Sequence, residues 1–315
     1  MKPFTFRALT GPAFLSLSAM ALVSSNSLAQ DASQYYTVQH PEEFKINWKE
    51  FYRDADARTA AVRAKLPHTL DLPYGPDIKQ RLDVYSPAGK PQHAPVFVFL
   101  HGGGFREGDR AHYGYLAAPF AAKGIVTVMP SYHLTGSGSH YPVEVDDVRL
   151  AIKWVYQHIA EFGGDPNRIV VGGHSAGAIL AADVGVNRGW MKAAGIPAEA
   201  LRGFAPISGP YDLRVDTRPG ELDAYAPSLQ AREQASPLLH IHDPAPNAVV
   251  AIGAEETAGN MLSTSQDLAK QLKAAGASAV FLSMAGKDHR GTVQALGDEH
   301  SELFKDVLAM LEKSP

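Results

Sequence analysis

The stretch Arg168-Ile169-Val170-Val171-Gly172-Gly173-His174-Ser175-Ala176-Gly177 decides how this chain folds. An apolar, β-branched run leads into a Gly-x-Ser-x-Gly turn, and residues 176–186 after it have a helix-like composition. Strand, sharp turn and helix with a serine at the apex form the context of a nucleophile elbow. The glycines have a steric task. The turn forces Ser175 into a strained backbone conformation, and side chains two positions to either side would strike the neighbouring helix or strand. Gly173 and Gly177 remove those side chains.

A second motif lies some way upstream. His101-Gly102-Gly103-Gly104-Phe105 follows another buried-strand run, Ala94-Pro95-Val96-Phe97-Val98-Phe99-Leu100. Three successive glycines let backbone N–H groups turn toward one point without side-chain interference. Aimed at a carbonyl oxygen, such groups stabilise the oxyanion of a tetrahedral intermediate. On its own the motif also fits a plain flexible loop. Its placement before an elbow is what favours the chemical reading.

With these two motifs in place the chain resembles the α/β-hydrolases. It is similar to the branch with an HGGG oxyanion motif, which includes hormone-sensitive-lipase-like esterases and arylformamidase-like hydrolases. The resemblance runs from about Asp71 to the C-terminus. Beyond the two motifs it is carried by Tyr74-Gly75, Arg81-Leu82-Asp83-Val84-Tyr85-Ser86-Pro87 and Gly163-Gly164-Asp165-Pro166-Asn167-Arg168-Ile169. It implies the α/β-hydrolase fold, a mainly parallel twisted sheet with helices on both faces, over residues 70–315.

Composition bounds the rest. A chain of 315 residues with 45% apolar content can bury a sizeable core. The net charge of −4 and the lack of a basic run argue against a nucleic-acid partner. There is no cysteine, so disulfides, thiolate nucleophiles and Cys-ligated metals are excluded. Residues 1–29 read as a signal peptide. Lys2 and Arg7 give a positive start, residues 13–23 are a short apolar core, and Ser27-Leu28-Ala29 offers small residues to a signal peptidase. That apolar run is too short to span a bilayer, which needs about 20 residues. The expectation is a periplasmic or secreted protein starting near Gln30, with no membrane span.

Residues 81–85 alternate apolar and polar, as a half-buried strand does, and 96–100, 125–129 and 168–172 are apolar runs that read as strands, with later strands expected at 201–207, 248–252 and 278–285. Helices are expected at 111–123, 143–162, 176–186, 263–275 and 300–312, with Val148, Ile152, Val155 and Ile159 on one stripe. Residues 30–69 form a polar N-terminal extension with one or two helices within 42–65. Residues 208–247 are Pro-rich and aperiodic, a candidate cap-like excursion over the active-site face.

A serine hydroxyl needs a base, and the base needs an orienting group. In an α/β-hydrolase these follow the serine in the order acid, then histidine. Four of the thirteen histidines lie after the elbow: His240, His242, His289 and His300. His289, in Gly286-Lys287-Asp288-His289-Arg290-Gly291, follows the last expected strand on a loop, where the base must arrive. His240 and His242 come before the penultimate strand, and His300 reads as the start of the final helix. The acid should follow the strand at 248–252, where Glu255 and Glu256 are adjacent. The residues alone leave both open; the resemblance to arylformamidase-like hydrolases places the acid at Glu256. Oxyanion donors are expected from the backbone of Gly103, Gly104 and Ala176.

Other features have bland readings. His240-x-His242-Asp243 fits a surface loop better than metal ligands. Asp146-Asp147 suits helix-terminus electrostatics. His174 reads as a packed, hydrogen-bonded neighbour. Phe105, Tyr113, Tyr132 and Tyr141 fit either a substrate pocket or the core. The function expected is hydrolysis of short-chain or aryl esters through an acyl-enzyme, on a small-molecule ester and without metal or organic cofactor. Amide hydrolysis of an aryl formamide and feruloyl or acetyl-xylan ester hydrolysis are alternatives, and a non-catalytic binding module is a remote one.

Overall fold

The computed structural model describes residues 47–89, 91–215, 221–256 and 260–313. The expected signal peptide, and the start near Gln30, lie outside the described residues. Eight strands form one sheet in the order β1-β2-β4-β3-β5-β6-β7-β8. They are β1 (His68–Pro73), β2 (Arg81–Tyr85), β3 (Ala94–Leu100), β4 (Val126–Pro130), β5 (Gly164–His174), β6 (Leu201–Ile207), β7 (Asn247–Gly253) and β8 (Ala279–Met284). β2 pairs antiparallel with β1 and β4, and the other pairings are parallel.

The central strands are covered on both faces, which is why they read as unbroken apolar runs. Along β3, Val96, Val98 and Leu100 pack into one cluster while Phe97 and Phe99 pack into the other. The first face is covered by α3 (Val143–His158) and α4 (Ala176–Val186), through Val148, Ile152, Val155, Ile179 and Leu180. The second face is covered by α1 (Trp48–Arg63), α2 (Ala117–Ala122), α9 (His289–Leu296) and α10 (Glu302–Glu312). Between these come the short α5 (Gly189–Ala194), α6 (Glu221–Tyr225) and α7 (Leu229–Gln234). α8 (Met261–Ala274) packs Leu268 and Leu272 against Val250 of β7.

Three expectations need correcting. The single helix at 111–123 is two 3-10 turns, Arg110–His112 and Gly114–Leu116, followed by α2. Pro119 has no N–H to give to the Tyr115 carbonyl, so it fits only the first turn of a helix. The helix at 143–162 ends at His158. A 3-10 turn, Ile159–Phe162, completes it and stops at Gly163, whose φ is +86°. The final helix begins at Glu302 with Ser301 as its cap, so His300 lies just outside it. β1 escaped the sequence reading, and the division at 69/70 falls inside it. It is an edge strand, mostly exposed, and it carries no buried apolar pattern to detect.

The described residues of the excursion 208–247 include a buried part. Tyr211, Leu213, Leu222, Tyr225 and Leu238 within it are buried and join the clusters at the carboxyl end of the sheet.

Candidate active site

Ser175 stands between β5 and α4 with φ +56° and ψ −119°. A non-glycine residue holds such a conformation only when its surroundings fix it. Here the Ser175 N–H donates to the Ile207 carbonyl at 2.9 Å, which ties the apex to the end of β6. The two glycines are sterically required. A Cβ on Gly173 would lie 2.1 Å from the Gly177 carbonyl oxygen, and one on Gly177 would lie 2.3 Å from that of Leu100. The elbow therefore presses directly on the end of β3.

The glycine run starts at that same strand end. A Cβ on Gly102 would meet the Ser175 Cβ at 3.1 Å, so this loop borders the serine. Gly103 (φ +124°) and Gly104 (φ +58°) are left-handed. The Gly103 carbonyl accepts from the N–H groups of Arg106 and Glu107 at 3.0 Å each. A Cβ on Gly103 would overlap the Glu107 carbonyl at 2.0 Å. Behind the loop, the His101 ring stacks on Tyr132 at 4.4 Å. Tyr132 donates its hydroxyl to the His101 carbonyl at 2.6 Å. Burial pushes His101 down to about 4, so the ring is neutral, and its Nδ1 donates to the Gly102 carbonyl at 2.8 Å. The loop's shape thus rests on buried, uncharged contacts. Ala176 is the first residue of α4, which sets its N–H at a helix N-terminus beside the serine.

The turn after β7 separates the two glutamates. Glu255 is exposed, and Glu256 is buried. Glu256 Oε1 accepts from Ser208 Oγ at 2.5 Å and from the Gly253 N–H at 2.8 Å. Its Oε2 accepts from His289 Nδ1 at 2.7 Å. Burial alone would raise this carboxyl. The charge and hydrogen bond of His289, with the donors Ser208 and Gly253, outweigh that and hold it below the usual carboxylate range.

His289 was expected on a loop, and the structure makes it the first residue of α9, capped by Asp288 through the Gly291 N–H at 2.6 Å. Its carbonyl accepts from His174 Nε2 and from Thr292 Oγ1, both at 2.8 Å. The Trp48 ring of α1 meets the His289 ring edge to face, with centroids 6.1 Å apart. His174 is fully enclosed, and burial pushes it down to about 3. It is therefore a neutral donor to the His289 main chain, as its packed reading held.

Other features fall out as follows. Asp147 does not serve the helix terminus. It is buried and accepts from Gln80 Nε2 at 2.8 Å and from the His133 N–H and Nδ1 at 2.8 and 2.6 Å. Asp146 pairs with Arg149 at 2.9 Å on the surface. His240 faces the Gln234 carbonyl at 2.9 Å, in an exposed contact. Phe105, Tyr113 and Tyr132 are buried core aromatics, and Tyr141 is half-buried against Tyr225. Among the described residues, no three His, Asp or Glu side chains are grouped to hold a metal ion, and no helix is long and apolar enough to cross a membrane.

Ser208, Thr292 and Trp48 reach the site without having been read from the sequence. Ser208 directly follows β6, at a carboxyl strand end where sites collect in open α/β sheets. Thr292 lies three residues after His289, on the same side of its helix. Trp48 carried no signal, because nothing in its own segment reveals what α1 packs against.

A family model described as BD-FAE matches residues 82–195. The kynurenine formamidase of Danio rerio is 28% identical over 261 residues, covering 81% of this chain and 86% of that protein. Esterase LipC of Mycobacterium tuberculosis is 33% identical over 148 residues, 46% of this chain and 36% of that protein. Among solved structures, the carboxylesterase EstE1 from a metagenomic library superposes with a TM-score of 0.64 at 22% identity, covering 84% of this chain and 98% of that one.

Proposed function

We propose that this chain, an α/β-hydrolase of the HGGG-type esterase branch and a hydrolase of the carboxylesterase type, works through a serine acyl-enzyme on short-chain or aryl esters. The observation that carries the reading is the Glu256–His289 contact of 2.7 Å, with His289 and the strained Ser175 delivered to one end of the sheet. In this mechanism Ser175 Oγ attacks the ester carbonyl carbon and gives its proton to His289 Nε2. The oxyanion accepts hydrogen bonds from the backbone of Gly103, Gly104 and Ala176. The C–O bond breaks, and His289 returns the proton to the departing alcohol oxygen. Water then attacks the acyl-enzyme by the same route, releasing the acid and restoring Ser175. Glu256 orients the ring and stabilises its charged form.

The test is Ser175→Ala. Its kcat on p-nitrophenyl acetate should fall on the order of 10⁶-fold. A fluorophosphonate should add its mass to the wild type and not to the variant. More than about a tenth of wild-type turnover in Ser175→Ala would remove the assignment.

A second reading is hydrolysis of an aryl formamide, supported by the likeness to a kynurenine formamidase over most of its length. The signal-like residues 1–29 favour an external ester, including feruloyl or acetyl esters of polysaccharide, over an intracellular metabolite. N-terminal sequencing of protein from the native host tests export, and an intact Met1 would count against it. A panel of p-nitrophenyl esters, methyl ferulate and N-formylkynurenine separates the substrate classes.

A further inference from the structure

We propose that Thr292 and Ser208 are positioning residues, a hydroxyl bridge that fixes Glu256 and the His289 main chain relative to one another. This rests on the reading of His289 as the base. Ser208 Oγ lies 2.5 Å from Glu256 Oε1 and 3.0 Å from Thr292 Oγ1. Thr292 Oγ1 in turn lies 2.8 Å from the His289 carbonyl. The path leaves the base at its carbonyl and returns to it through Glu256 at Nδ1. These contacts trace a ring through four residues from three separate parts of the chain, and the two hydroxyl protons fill two of its three hydroxyl contacts at a time.

Counting protons shows what each hydroxyl can do. Each has one proton, and a carboxylate and a carbonyl only accept. The carboxylate is the stronger acceptor, so the Ser208 proton goes to Glu256. The Thr292 proton then goes either to the His289 carbonyl or to Ser208 Oγ. In the second case His174 Nε2, at 2.8 Å, still satisfies that carbonyl. The bridge is the second arrangement, in which Thr292 donates to Ser208 and Ser208 to Glu256 while α9 itself joins Thr292 to His289; in the first, Ser208 and Thr292 share no proton. Both hydroxyl residues are completely buried, so water cannot replace a missing partner.

Ser208 is also strained. Its φ is +58°, an uncommon region for a residue with a side chain, and its N–H is tied to the Ala251 carbonyl at 2.8 Å. Such strain persists where the surroundings fix it and clusters at functional sites. The bland reading of Thr292 is different: a helical threonine that bonds back to the residue three before it and packs its methyl group. The contact with Ser208 is what that habit does not explain.

The two readings rank two substitutions oppositely. Thr292→Val keeps the shape and loses the hydroxyl, whereas Thr292→Ser keeps the hydroxyl and loses the methyl. We expect Thr292→Val to lower kcat about tenfold with KM within about twofold, and Thr292→Ser to stay within about threefold of wild type. Wild-type kcat in Thr292→Val, or a larger loss in Thr292→Ser than in Thr292→Val, overturns the proposal. Should Thr292→Val fail to fold, Ser208→Ala carries the same test against wild type. Where both fold, the double variant should lose little more than the worse single one, and a product of the two losses overturns the bridge. The proton resonance of His289 Nδ1 reads the geometry without turnover, and it should move in Thr292→Val and hold in Thr292→Ser. If Ser175→Ala stays active, the serine mechanism fails, while this resonance still decides the bridge.

Discussion

Glu255 and Glu256 are chemically identical neighbours, and the turn after β7 gives them opposite surroundings. The turn is tight because Gly253 touches the loop after β8: a Cβ there would lie 2.2 Å from the Lys287 carbonyl oxygen. The Glu256 N–H closes the turn on the Gly253 carbonyl at 3.1 Å, which sends its side chain inward to His289. Successive side chains diverge, so Glu255 remains in solvent. Glu256→Gln keeps the shape and removes the charge that stabilises the imidazolium. It should lower kcat roughly 10²–10⁴-fold. Glu255→Gln should lower kcat by less than about tenfold, since its exposed side chain does not reach His289. Assaying both variants at one pH on one ester checks this, and the opposite ranking would mean that the acid is misassigned.

At the level of elements, the glycine turn after β3 carries a charge that its own packing disfavours. Glu107 lies on that turn, and burial pushes its carboxyl up to about 7, against a small opposing effect of His112. The unfolded chain loses this proton near 4.5, so the folded protein holds it over a higher range. Folding stability attached to Glu107 is therefore present below the unfolded value and is lost as pH rises through the folded one. Glu107→Gln cannot ionise. Its Tm advantage over wild type should be larger at pH 8 than at pH 5, and an equal difference at both would show that Glu107 does not titrate as argued. The elements themselves were legible where burial is two-sided. β2, β6 and α4 have the boundaries read from sequence, because alternation marks β2, an apolar run β6 and the elbow glycines α4. The helix expected across 111–123 is divided into 3-10 turns and a short helix, where Pro119 has no N–H for the Tyr115 carbonyl. β1 was missed because an exposed edge strand leaves no apolar signature. Ser175 and His289 were expected from the elbow motif, chain order and strand ends, whereas the choice of Glu256 over Glu255 rested on the resemblance. Ser208, Thr292 and Trp48 could not be placed, since their roles depend on contacts between segments far apart in sequence.

For the molecule as a whole, the question is what kind of cleft the sheet end presents. The described residues of the excursion 208–247 are packed against the core at several points. Its Tyr225 ring stacks on Phe105 of the glycine turn at 3.7 Å and nearly parallel, and the Tyr225 carbonyl accepts from the Tyr141 N–H at 2.8 Å. Further along, the Leu213 N–H donates to Ser236 Oγ at 2.8 Å, and the Leu238 N–H donates to the Tyr211 carbonyl at 3.0 Å. Opening a long acyl channel through this wall would separate a buried aromatic stack and expose Tyr211, Leu213 and Leu238. On the other side, α1 sets Trp48 against His289 and is itself held by Phe51 and Tyr52 in the second core cluster. A site fixed on both sides gains from each methylene only while the chain still fits, at about 0.8 kcal/mol per buried CH₂. Beyond that length the wall must yield or the chain must stay in water. The enzyme should therefore prefer short acyl groups, roughly C2 to C6. Measuring kcat/KM across p-nitrophenyl esters from acetate to laurate checks this. A maximum at laurate would require the excursion to swing away from Phe105, which its packing opposes.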